Sequence, residues 1–242
     1  MVNTLKFDDE KVKLFCLPFA GGTASVYAGW KRYLHQSIEL IPVELAGRGI
    51  RIKEPCYKSV NEAINDIYVQ MKPYLSGCEY ALFGHSMGGL LAYEMYYFLK
   101  KTGHKMPKHI FISGKAPVHM QENDKLFHTM PDDEFINEIY KLGGTQTQVF
   151  AEKQLLNLFL PILRNDFKIT ETYSYLKRQE KISCDISIFY GSEDSMVKGD
   201  IREWEIHSQG KCNFYEFNGG HFFINDYLSN VISIVNEVLS YR

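Results

Sequence analysis

Apolar residues fall along the chain in two alternating patterns. Short runs rich in β-branched and aromatic residues read as strands: VKLFCLP at 12–18, IELIPVEL at 38–45, EYALFGHS at 79–86, HIFISGKAP at 109–117, ISIFYGSED at 186–194 and KCNFYEFNGGH at 211–221. Between them the spacing turns helical. Over 25–34, Val26, Trp30, Tyr33 and Leu34 share one face of an α-helix, and over 60–75 Ile64, Ile67, Met71 and Leu75 recur at intervals of three or four. Over 89–103, Leu91, Met95, Phe98 and Leu99 point inward, and Gly103 suits the C-terminal cap. A last helix is expected over 225–240. Strands and helices in this order predict an α/β fold: a mostly parallel central sheet with helices on both faces. Such sheets hold their sites at the carboxyl ends of the strands.

One region interrupts the alternation. From 118 to 181 no strand pattern is found. PDDEFINEIYKLGG carries Phe135, Ile136, Ile139 and Leu142 at helical spacing, with Pro131 suited to the first turn. KQLLNLFLPILRNDF sets Leu156, Phe159, Leu160 and Leu163 on one face, widened by Leu155 and Leu158, and Pro161 is expected to kink it. An apolar helical insertion serves as added core or as a lid over a site. This one leaves from the strand end where ligands bind, which favours the lid. The rest reads as a single domain over 1–242, without repeats or low-complexity segments.

Composition narrows the class. A chain of 242 residues with 45% apolar and 23% charged residues is long enough to bury about three quarters of its unfolded surface in one core. A net charge of -2 without a basic stripe gives no reason to expect nucleic acid. No apolar run approaches the ~20 residues of a membrane helix, and the first residues carry acids where a signal peptide needs an apolar core. Five cysteines, an odd number without CxxC spacing, argue against a disulfide framework and a zinc site, and point to a reducing cytoplasm.

The polar island GHSMGG, set between an apolar run and an amphipathic one, then becomes the candidate site. GHSMG at 84–88 fits G-x-S-x-G, a strand–turn–helix elbow that presents a nucleophile. Gly84 and Gly88 omit side chains where strand and helix meet closely, and the helix after Ser86 aims its first N–H groups at a developing oxyanion. The pattern alone also describes an ordinary turn; the apolar strand before it and the helix after it favour the elbow. A serine hydroxyl needs a base, and the base an orienting acid, in the chain order Ser, acid, His. His221, in FNGGHFF after a late strand, is the candidate base. His207 lies in the polar stretch REWEIHSQ and is expected to be solvated; His85 is expected to pack beside the elbow. For the acid, GSED offers Glu193 and Asp194, and the turn favours Asp194; Asp185 precedes the strand and Asp200 lies too far on. The oxyanion donors are expected from the Met87 N–H and, in the loop PFAGG after the first strand, the Ala20 N–H.

With these pieces placed, the sequence resembles the type II thioesterases, the free-standing editing enzymes of nonribosomal peptide and polyketide synthases. LFCLPFAGGTASVYAGW resembles the family's first strand and oxyanion loop. PVELAGRGIRIKEP resembles its PxxLPGRGxRxxEP segment, with Ala46 where proline is common. FGHSMGG, ISGKAPVH, MPDDEFINEIYKLGGT, LPILRNDFKITETYSY, YGSEDSMV and FNGGHFFI follow in the family's order. The resemblance implies an α/β-hydrolase fold with a mobile helical lid. It implies hydrolysis of acyl thioesters on the phosphopantetheine arm of carrier proteins, with Ser86, His221 and Asp194 as a triad, no cofactor of its own and no metal. The residues alone reach only a serine acyl hydrolase. A carboxylesterase or acyltransferase on small soluble substrates, and a non-catalytic carrier-binding protein, remain as alternatives. Carrier proteins are acidic, so Arg48, Arg51 and Lys115 are candidate contacts. Nothing in the pattern demands more than a monomer.

Overall fold

The computed structural model describes residues 11–120, 125–143 and 152–240. Six strands form one sheet: β1 (Val12–Leu17), β2 (Ile38–Pro42), β3 (Tyr80–His85), β4 (His109–Ser113), β5 (Asp185–Gly191) and β6 (Cys212–Phe217). Their spatial order is β2-β1-β3-β4-β5-β6, and every neighbouring pair is parallel. The helices are α1 (Val60–Met71), α2 (Met87–Lys101), α3 (Asp132–Leu142), α4 (Lys153–Glu171), the short α5 (Phe223–Asp226) and α6 (Leu228–Ser240).

β1, β3 and β4 are buried at every position, as continuous apolar runs covered on both faces should be. The period of two divides their side chains between two cores. Phe15, Leu17, Leu82 and Ile110 pack with α1 and α2, whereas Leu14, Cys16, Phe83 and Phe111 pack with Trp30 and α6. A third, smaller cluster joins Phe135 and Ile139 of α3 to Leu163 of α4, with Ala20 of the loop after β1 packed against it. α2 ends as Gly103 leads one to expect. Gly103 has φ +74, its N–H donates to Lys100 O at 3.2 Å, and the His104 N–H reaches back to Leu99 O at 3.0 Å.

The segment expected as an α-helix over 25–34 is instead a 3₁₀ helix, Ala24–Arg32. Its tighter spacing turns Tyr27 and Trp30 inward, three residues apart, while Val26 and Tyr33 are 37% and 52% exposed. The strands expected over 38–45 and 109–117 stop at Pro42 and Ser113, where the chain leaves the sheet toward its carboxyl edge. Between β4 and β5 no strand occurs among the described residues. Pro131 sits at the N-cap of α3, and α4 continues through Pro161 to Glu171. Parts of the insertion, 121–124 and 144–151, lie outside the described residues. Among the described residues no helix is long and apolar enough to cross a membrane.

Candidate active site

Ser86 sits where β3 turns into α2. Its backbone, φ 55 and ψ -116, is the one positive-φ conformation of a non-glycine residue among those described. Such a backbone is costly for a residue with a Cβ and persists only when its surroundings impose it. The surroundings here are tight. A Cβ on Gly84 would lie 1.9 Å from Gly88 O, and one on Gly88 would lie 2.1 Å from Leu17 O. The Ser86 N–H donates to Ser113 O at 2.7 Å, tying the elbow to the end of β4.

The end of β5 carries Asp194, the candidate acid, and the end of β6 carries His221, the candidate base. Gly191 lets the two loops cross, because a Cβ there would meet Gly219 O at 2.5 Å and Gly220 O at 2.6 Å. Backbone bonds from Ser192 N to Phe217 O (2.8 Å) and from Glu193 N to Gly219 O (2.9 Å) then hold the loops together. Asp194 turns inward and is buried; Glu193 is exposed. The Asp194 carboxylate lies 2.8 and 3.0 Å from His221 Nδ1 and accepts the Met196 N–H at 2.9 Å. His221 Nε2 lies 2.9 Å from Ser86 Oγ. In the tautomer whose Nδ1–H donates to the Asp194 carboxylate, Nε2 can accept a hydrogen bond from the Ser86 hydroxyl.

Above this line of three side chains lies a cavity of about 80 Å³. Phe19, Ala20, Met87 and Phe222 line it from the sheet side, and Leu163 and Phe167 of α4 from the insertion. Ala20 and Met87 therefore border the same space as Ser86 Oγ. Among the described residues neither of their N–H groups meets a backbone acceptor.

His85 is fully buried beneath the elbow, against Phe19, Phe222, Phe223 and His221, with Nδ1 2.9 Å from Ser113 Oγ. Burial, and then His221 beside it, hold its pKa well below the ordinary imidazole value. His207 is not solvated as its polar stretch suggests. The stretch is a 3₁₀ helix, Ile201–His207, that turns Trp204 and His207 inward together. There His207 Nε2 lies 2.8 Å from His119 Nδ1, its ring packs on Tyr93, and burial, then His119, lower its pKa to about 4.

Among the expected carrier contacts, Arg48 and Arg51 are held in ion pairs within the chain. Arg48 is 2% exposed and binds Asp166 through both terminal nitrogens, at 2.5 and 2.8 Å. Arg51 bonds both Asp66, at 2.6 and 2.8 Å, and Glu54, at 2.9 and 2.5 Å. Lys115 is half-buried on the cavity wall, where burial lowers its pKa to about 8. Sequence reasoning missed Phe19, Phe167 and Phe222, which look like ordinary core residues until the fold gathers them, and Asp166, whose partner Arg48 is 118 positions away.

A sequence model of the thioesterase domain matches residues 12–239. The chain belongs to the thioesterase family. Thioesterase PikA5 of Streptomyces venezuelae is 32% identical over 232 residues, covering 96% of this thioesterase and 82% of the relative. The structure of ClbQ from the colibactin NRPS/PKS pathway superposes with a TM-score of 0.90 at 36% identity, covering 95% of this thioesterase and 97% of that chain. BorB, a type II thioesterase from the borrelidin biosynthetic cluster, gives a TM-score of 0.86 at 30% identity, covering 95% and 93%. The parallel α/β sheet expected from the strand–helix order is present, and the α/β-hydrolase fold that the resemblance implied is the fold of these thioesterases.

Proposed function

We propose that this thioesterase is a type II, editing enzyme. It hydrolyses misprimed or stalled acyl and aminoacyl thioesters on the phosphopantetheine arm of carrier proteins in nonribosomal peptide or polyketide synthesis. The observation that carries the reading is the hydrogen-bonded line Ser86–His221–Asp194, at an elbow that opens into a cavity roofed by an apolar insertion. The pathway assignment is supported by the relatives above. One α/β-hydrolase domain carries the reaction, with the insertion at about 118–181 as its lid.

Ser86 Oγ attacks the thioester carbonyl carbon as its proton passes to His221 Nε2. The carbonyl electron pair moves onto oxygen, where the N–H groups of Ala20 and Met87 stabilise it. Asp194 holds the imidazole tautomer and offsets the imidazolium charge. Collapse breaks the C–S bond, and the pantetheine sulfur leaves as a thiol with the proton from His221. Water then attacks the acyl-serine, gives its proton to His221 and releases the acid as Ser86 is restored. No cofactor of the enzyme takes part; the phosphopantetheine belongs to the carrier. The enzyme works as a cytoplasmic monomer, away from membranes and nucleic acid.

The test is hydrolysis of a panel of acyl-loaded carrier proteins against small oxyesters of the same acyl groups. The carrier thioesters should be preferred, and Ser86→Ala should abolish turnover on both. Faster hydrolysis of the free oxyesters would transfer the protein to the carboxylesterases, and full activity in Ser86→Ala would remove the serine from the mechanism.

A further inference from the structure

The loop that carries Ala20 is held from the insertion, by a carboxylate with no place in the triad. Asp166, on α4, is fully buried. Its Oδ2 accepts the Gly21 N–H at 2.7 Å, and both its oxygens accept from Arg48. Arg48 itself comes from the loop after β2, reaching Ala46 O at 3.4 Å and Gly22 O at 3.5 Å. The loop closes on itself through Gly22 N to Phe19 O at 2.9 Å. It also lies hard against the same helix: Gly21 has φ +75, and a Cβ there would come within 2.8 Å of the Phe159 ring.

The peptide on the C-terminal side of Ala20 is therefore clamped by a charged acceptor from the lid helix. That peptide fixes the backbone of Ala20, and with it the direction of the preceding N–H. An ion pair this deeply buried is a poor source of net stability, since apolar residues of similar volume commonly serve as well. What it does supply is direction: a bidentate guanidinium fixes both carboxylate oxygens in one plane.

We propose that Asp166 and Arg48 are positioning residues for the reaction, acting through Gly21 to set the Ala20 N–H for the oxyanion. The inference rests on the serine mechanism above. The pair is not part of the reacting constellation, and the lid helix then contributes to the chemistry as well as covering the acyl group.

The experiment compares the full-length wild type with the double variant Arg48→Met/Asp166→Leu, which removes both charges together, and with Asp166→Asn. Each is assayed on one acyl-carrier thioester and titrated with an alkyl boronic acid, whose serine adduct places an oxygen where the oxyanion forms. A displaced oxyanion donor is felt in the transition state and not in substrate binding. We expect kcat to fall about ten- to a hundredfold with KM within a few-fold. Boronate affinity should fall in step with kcat, and the melting temperature should stay close to wild type in the double variant. Wild-type kcat and boronate affinity in the folded double variant would overturn the proposal. So would a rise in KM with kcat and boronate affinity intact. Should the double variant not fold, the near-isosteric Asp166→Asn is judged by the same two criteria. Ser86→Ala in the same assay separates the two readings. If it is inactive while the double variant is fully active, only the positioning role fails; if it is active, the serine mechanism itself fails.

Discussion

Ser86 holds its hydroxyl over the cavity at the cost of a backbone that glycine would adopt freely. Ser86→Gly is accordingly expected to abolish hydrolysis while stabilising the protein by about 1 kcal/mol, or roughly 2–4 °C in melting temperature for a chain of this size. Thermal unfolding of the two proteins side by side checks it, and an unchanged or lower melting temperature counts against stored strain at the elbow. The acid offers a second comparison. Asp194→Asn keeps the shape but lets Nδ1 of His221 lose its donor role, so kcat should drop by up to about 10⁴-fold with folding intact. Glu193→Gln, on an exposed neighbour, should leave kcat unchanged. Steady-state kinetics with circular dichroism decide between them. Ser86, His221 and Asp194 were legible in the sequence because each is announced by its own turn: GHSMG, FNGGH and GSED. The choice between Glu193 and Asp194 rests on which of two adjacent carboxylates turns inward, and burial makes it visible. Asp166 gave no local sign, since its meaning lies in Arg48 and Gly21, far away in the chain.

The strands and the long helices could be read from periodicity alone. A short continuous apolar run suits a strand covered on both faces, and a 3.6-residue repeat suits a helix with one face buried. The two 3₁₀ segments could not be read in this way. In both, an aromatic pair or an aromatic–histidine pair three residues apart faces inward: Tyr27 with Trp30, and Trp204 with His207. An α-helical template keeps Trp30 on the buried face but sets Val26 and Tyr33 beside it in place of Tyr27, and the polarity of REWEIHSQ leaves His207 in solvent. The insertion reads as helices, and its departure from the carboxyl end of β4 favours a lid, but the residues that line the cavity could not be named from it. Its part in the site depends on α4 lying over the loop after β1, which no local pattern encodes. Because Phe167 lines the cavity, Phe167→Ala should enlarge it and move the preference toward longer acyl chains. A panel of carriers loaded with acyl groups of increasing length would show the longest members gaining roughly tenfold in kcat/KM relative to the shortest. An unaltered ranking would mean that the acyl chain runs elsewhere.

At the scale of the whole molecule, three buried imidazoles set its behaviour in acid. Burial lowers the pKa of His109 to about 4, that of His207 to about 4, and that of His85 well below the ordinary value. In the unfolded chain all three take up protons as the pH falls through about 6.5. In the folded chain they do so only well below that, so the unfolded state binds more protons throughout the interval. Stability is then full above pH 6.5 and declines as the pH falls from 6.5 toward 4. His109 and His207 each contribute at most on the order of 3 kcal/mol to the decline. Urea midpoints at pH 7, 6 and 5 should fall in sequence. His109→Gln would flatten the trend, and a midpoint independent of pH would show that these groups titrate alike in both states.

The crossing at Gly191 bears on how the molecule comes together. Asp194 and His221 are 27 residues apart and belong to adjacent strands, so a modest stretch of chain can unite them. Ser86 and His221 are 135 apart, and β4 and β5 must both be in register before the two can meet. Closing the longer span is the slower search. A nascent or refolding chain would thus bring Asp194 and His221 together before Ser86 arrives beside them. Return of turnover marks the moment at which the two halves of the sheet have found each other.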